Sequence, residues 1–108
     1  MKVIKGVLEE ELENSLRMKE KYEDVLSNLS KGSLVEKEIK GHRYYYIVLR
    51  EHGRVKFIYK GKLSKEEIEK YLEIKELRLK YKKLLSQVKK QIAFLERSLS
   101  GKEIRAVS

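Results

Sequence analysis

The sequence predicts an α+β fold: a long helix, a three-stranded antiparallel sheet and a second long helix, with the helices forming a coiled-coil-like hairpin or a dimer. Three observations carry this expectation. Apolar residues recur at helical spacing both before Lys31 and after Ser64. Between them, Ser33 to Lys62 holds three short runs rich in β-branched and aromatic residues, separated by Gly-containing turns. The long charged flanks lack proline, since the chain contains none.

Met1 to Gly6 alternates weakly and reads as a loose or strand-like entry. A helix is then expected over 7–31. Leu8, Leu12 and Leu16 step by four, and Met18, Tyr22, Val25, Leu26 and Leu29 continue a broad stripe on the same wheel. Glu9, Glu10, Glu11 and Glu13 sit in its first turns, where the helix dipole favours acids. Lys31-Gly32 is the expected stop, with Gly32 as left-handed cap.

The sheet is expected over 33–62. A three-residue loop, Glu51-His52-Gly53, would oppose Arg50 to Arg54 and set the register of two strands. One face then collects Tyr45, Ile47 and Leu49 with Tyr59, Phe57 and Val55, and should meet a helix. The other collects Tyr44, Tyr46, Val48 and Arg50 with Lys60, Ile58, Lys56 and Arg54. For the first hairpin, a Lys40-Gly41-His42 loop would turn Val35 and Ile39 inward, with Lys37 between them, and Glu36 and Glu38 outward. A loop of different length reverses that choice.

A second helix is expected over 64–100. Ser64-Lys65-Glu66-Glu67 has the form of a capping box, and Leu63 and Ile68 occupy the staple positions. With no Gly or Pro before Gly101, the helix can span roughly 50 Å. Ile68, Tyr71, Leu72 and Leu79 share one side of its first turns, suited to the sheet. Ile74, Leu77, Tyr81, Leu84, Val88, Gln91 and Leu95, flanked by Leu85, Ile92 and Leu99, form a coiled-coil-like seam for the first helix or another copy. Residues 101–108 are expected to be a short tail.

A chain of 108 residues suits one domain with a modest core. Its 40 % charged content is far above the usual share, so it is either strongly helical or partly disordered, and the periodicity argues for folded. Without cysteine there are no disulfides and no thiolate metal sites. No apolar run reaches the roughly 18 residues of a membrane span, and no signal-peptide core is present, so the expected location is cytoplasmic with no membrane partner.

Net charge is +9, unevenly placed: −1 over 1–31, +5 over 32–62 and +5 over 63–108. Such a surface favours phosphate backbones, anionic lipid heads or an acidic protein. Catalysis finds no support in the residues. His42 and His52 both fall in turns without a carboxylate at ligand spacing, and there is no nucleophile elbow, phosphate loop or helical His pair. The expectation is a non-enzymatic protein without a cofactor.

The site expected instead is the basic sheet face: Tyr44, Tyr46, Arg50, Arg54, Lys56 and Lys60. Lysine and arginine supply phosphate contacts, arginine also pairs with guanine in the major groove, and tyrosines can stack on exposed bases. The plain alternative is a solvated face whose lysines discourage edge pairing and whose tyrosines are simply good strand formers. A second basic surface comprises Arg78, Lys80, Lys82, Lys83, Lys89 and Lys90 on the back of the long helix, with no acid between Leu77 and Leu95.

The run of G-S-L, a strand, K-G, R-Y-Y-Y-I-V-L-R, a Gly turn, R-V-K-F-I-Y-K-G-K and a capped helix resembles the arm-type DNA-binding domain of tyrosine recombinases. The resemblance covers Gly32 to about Leu72, under half the chain. It implies a three-stranded sheet that enters the major groove, with DNA contacts at the six site residues just named. The chain departs from that family in its long helical flanks and in carrying no catalytic recombinase domain. As a whole it is also similar to small uncharacterised prokaryotic proteins with a K-G-S-L, Y-Y-Y and basic-strand centre. The expected partner is therefore nucleic acid, DNA first, with a homodimer through the helices. The alternative is an assembly or adaptor module, since strands between two long helices also resemble prefoldin beta subunits.

Overall fold

The computed structural model describes residues 2–101; the expected tail beyond Gly101 lies outside them. Five elements follow in order: α1 (Lys2–Asn28), β1 (Ser33–Ile39), β2 (His42–Glu51), β3 (Arg54–Gly61) and α2 (Lys65–Ser100). This is the α+β class expected, with the helices flanking the sheet in sequence. The residues gather into two compact units: Leu29–Leu79, and α1 with α2 from Lys80 onward.

In the helical unit, Tyr22 of α1 meets Tyr81 of α2 edge-on, ring centroids 5.8 Å apart. Ser15, before Tyr22, is buried, as are Val88, Ile92, Leu95 and Ser98, after Tyr81. The helices therefore run antiparallel as a hairpin, and equal rise along both brings Ser15 level with Val88. The covered line on α1 is Leu8, Leu12, Ser15, Lys19, Tyr22 and Leu26; on α2 it is Tyr81, Leu85, Val88, Ile92, Leu95 and Leu99. Both lines alternate steps of four and three. The seam expected on α2 thus meets the chain's own first helix.

Several expected positions lie off these lines. Leu16, Met18, Leu77 and Gln91 are exposed. A broad apolar stripe is wider than the contact zone of one helix pair, and small Ser15 and the aliphatic stem of Lys19 take places within it. The loose entry expected over Met1–Gly6 is corrected too, because α1 already begins at Lys2. Once a helix is nucleated, each further residue adds a hydrogen bond at little cost. At its other end α1 stops at Asn28, short of Gly32, so Gly32 is not its cap.

In the sheet unit the strand order is β1-β2-β3, antiparallel throughout. Both hairpins close through two-residue turns, not the three-residue loops expected. Lys40 and Gly41 have φ of 52° and 79°, and His52 and Gly53 have φ of 50° and 77°. Positive φ at both central positions is the type I′ turn, whose twist matches that of the strands it joins. The register consequently shifts by one: Glu51 opposes Arg54 and Arg50 opposes Val55, while Ile39 opposes His42.

A one-residue shift moves the partner strand's side chains to the other face. Leu34, Tyr45, Ile47, Leu49 and Ile58 share the inner face, and Tyr45 and Ile47 are buried. Val55, Phe57 and Tyr59, expected there, are 50 %, 65 % and 58 % exposed on the opposite side. Val35 and Ile39 lie on that outer side as well, while Glu36 and Glu38 take inner-face positions.

The first half of α2 brings half-buried Ile68, Tyr71 and Ile74 toward the inner face, where they line a cavity of about 290 Å³ with Leu34 and Tyr45. Leu72 and Leu79, expected to pack there, are exposed. The capping box forms: Ser64 Oγ accepts the Glu67 N–H at 3.2 Å and donates to Glu67 Oε1 at 3.1 Å. The Ile68 N–H reaches the Ser64 carbonyl at 3.0 Å, closing the first turn.

Candidate functional site

The two turns decide what the outer sheet face presents. With both hairpins in type I′ register, the outward positions are Ser33, Val35, Lys37 and Ile39 on β1. On β2 they are His42, Tyr44, Tyr46, Val48 and Arg50, and on β3 Val55, Phe57 and Tyr59. Near the end of β3 a bulge intervenes: Tyr46 opposes Tyr59 and Tyr45 opposes Gly61, so Lys60 is the extra residue.

Four rings on this face, His42, Tyr44, Tyr46 and Tyr59, form one connected group. Tyr46 and Tyr59 have centroids 5.2 Å apart, Tyr44 and Tyr59 6.4 Å, and His42 and Tyr44 6.5 Å. Tilted and edge arrangements at these separations are favourable for aromatic pairs. The Lys37 ammonium lies 5.6 Å from the centroid of Tyr46, within cation–π range. Phe57 precedes Tyr59 by two positions and is the more exposed of the two.

Charge divides between the faces with equal clarity. The strands contain three acids, Glu36, Glu38 and Glu51, and all occupy inner-face positions. Glu36 pairs there with Arg43 at 3.0 Å, an exposed bridge of small energetic weight. The outer face carries Lys37 and Arg50 and no strand carboxylate.

Of the six site residues expected from sequence, the structure brings Tyr44, Tyr46 and Arg50 together on the outer face. Arg54 and Lys56 take positions on the opposite side, Arg54 across from Glu51 and Lys56 across from Leu49. Lys60 is set apart at the bulge. The residues that sequence reasoning missed are Lys37, Phe57 and Tyr59. Their signal was the K-G and H-G pairs, which mark two-residue turns when both residues take positive φ.

The second basic surface is also thinned by one. Arg78 is half-buried and donates from Nη1 to the Gly32 carbonyl at 3.2 Å and from Nη2 to the Ser30 carbonyl. It ties down the segment entering β1 and is a structural residue. Lys80 lies 5.8 Å from the Tyr81 ring centroid, while Lys82, Lys83, Lys89 and Lys90 are exposed.

Among the described residues, no group of three or more His, Asp or Glu side chains is placed to hold a metal ion. No helix among them is long and apolar enough to cross a membrane. Compared with protein-family models, curated proteins and solved structures, the chain shows no match. What it does must therefore be argued from the outer face itself.

Proposed function

We propose that this protein binds nucleic acid, without catalysing a reaction, through the outer face of its sheet. The observation that carries the proposal is the composition of that face: Tyr44, Tyr46, Phe57 and Tyr59 with Lys37 and Arg50, and no strand carboxylate. An apolar patch exposed on a sheet marks an interaction surface. Cations among the rings, on a chain of net charge +9, select a polyanion as the partner. The same charge disfavours stacking this face on a second copy, which would oppose like charges.

A second reading draws on Val35, Ile39, Val48 and Val55, the aliphatic residues of the same face, which suit burial against an acidic protein. The two diverge in one experiment. Affinity for a fluorescein-labelled oligonucleotide is measured at two salt concentrations for the wild type, for Lys37→Ala/Arg50→Ala and for Arg54→Ala/Lys56→Ala. Removing Lys37 and Arg50 is expected to weaken binding about tenfold and flatten the salt dependence by nearly two counterions. Removing Arg54 and Lys56 should do less. Absence of binding by the wild type would favour the protein-partner reading.

A further inference from the structure

We infer that the outer face takes a single strand, with bases stacked on Tyr46, Phe57 and Tyr59 and phosphates met by Lys37 and Arg50. The inference rests on the nucleic-acid reading above and specifies its ligand class.

Phe57 gives the first reason. It has neither donor nor acceptor, so it offers nothing to a phosphate or to the hydrogen-bonding edge of a paired base. With 65 % of its surface exposed on an open sheet, its π-face is what remains to recognise a ligand. Base faces are covered by their neighbours inside a duplex and become available only in an unpaired strand.

Geometry adds a second reason. Tyr46 lies on the central strand, Tyr59 directly opposite it on β3, and Phe57 two residues before Tyr59 on β3. Three rings on one face of the sheet, Tyr46 and Tyr59 tilted 59° to each other, offer separate surfaces on which successive bases can stack. Lys37, opposite Tyr44 on β1, holds its ammonium over the Tyr46 ring, from where its long stem can swing to a backbone phosphate as a base takes that ring face.

The distribution of cations supplies the third. A duplex presents a phosphate charge every 1.7 Å of its axis, and strong binders neutralise many of them. The register leaves two cations on the aromatic face and turns Arg54 and Lys56 to the opposite side. A ribbon entering the major groove would need these groups together; a stacking platform does not.

The test uses the full chain and three probes of equal length: a mixed-sequence single-stranded DNA, its duplex, and an abasic phosphodiester. The chain lacks tryptophan, so its intrinsic fluorescence reports tyrosine, and stacking on Tyr46 and Tyr59 should quench it. The single strand is expected to bind at least tenfold tighter than the other two. Phe57→Ala should lower that affinity roughly 5- to 150-fold, the range for loss of one stacked base. Because Phe57 is mostly exposed, its loss should leave the circular dichroism unchanged, and Phe57→Tyr should restore binding. Equal affinity for all three probes, insensitive to Phe57→Ala, overturns the single-strand inference while the nucleic-acid reading stands. Binding of none of them overturns both.

Discussion

Gly32 shows how a single residue can be assigned to the wrong neighbour from sequence. It follows a long helical stretch and has a φ of 100°, which fits the expected helix cap. Its constraint comes from β2 instead. A Cβ at this position would lie 2.6 Å from Ile47 Cγ2, 2.9 Å from Leu49 Cδ2 and 3.3 Å from the Val48 carbonyl oxygen. Arg78 holds the Gly32 carbonyl from the other side, so the segment cannot simply retreat. Gly32→Ala combines left-handed strain with displacement of Ile47, a buried side chain. We expect it to destabilise the sheet unit by about 2–4 kcal/mol, measured by urea unfolding. A cost below about 1 kcal/mol would show that the close approach is not maintained in solution. Nothing local announces this role, since it depends on residues a strand away and on a long helix still further on.

The elements themselves were largely legible. Capping residues, turn glycines and periodicity place the three strands and α2 close to their observed bounds, whereas α1 starts five residues earlier and ends three residues sooner than expected. Faces were harder to assign, and for two different reasons. On the strands, one residue of loop length exchanges inside for outside, and the choice lay in whether Lys40 and His52 accept positive φ. Both do, which moved Phe57 and Tyr59 from the expected core to the outer face and Lys56 to the opposite face, where it stays exposed. On the helices, the apolar positions outnumber those one partner can cover, so leucines alone do not mark the line of contact. The observed line makes a prediction that separates two otherwise similar residues. Leu95→Ala should cost about 2–5 kcal/mol, because Leu95 is 5 % exposed against α1. Leu79→Ala should change stability by less than about 1 kcal/mol, because Leu79 is 59 % exposed. Thermal unfolding followed by circular dichroism compares the two, and similar losses would refute the hairpin register.

At the scale of the whole molecule, composition indicated a basic surface and the structure sorts it. The seam of α2 is occupied by α1, while Leu16, Met18, Leu77 and Phe94 remain exposed on the helices. Arg78 is committed to the entry of β1, and Arg43 lies on the inner face beside Glu36. On the sheet, the strand acids fall on one side and the exposed rings on the other, with Lys37 and Arg50 among the rings. This segregation was invisible in the linear charge count, which gave only +5 over 32–62. The central claim is that the aromatic side of the sheet is the binding surface. Chemical-shift mapping of the isotopically labelled chain during titration with a single-stranded oligonucleotide tests it most directly. Perturbations confined to Lys37, Tyr44, Tyr46, Arg50, Phe57 and Tyr59 are the expected result; perturbations centred on Arg54 and Lys56, or on Lys82 to Lys90, would contradict it.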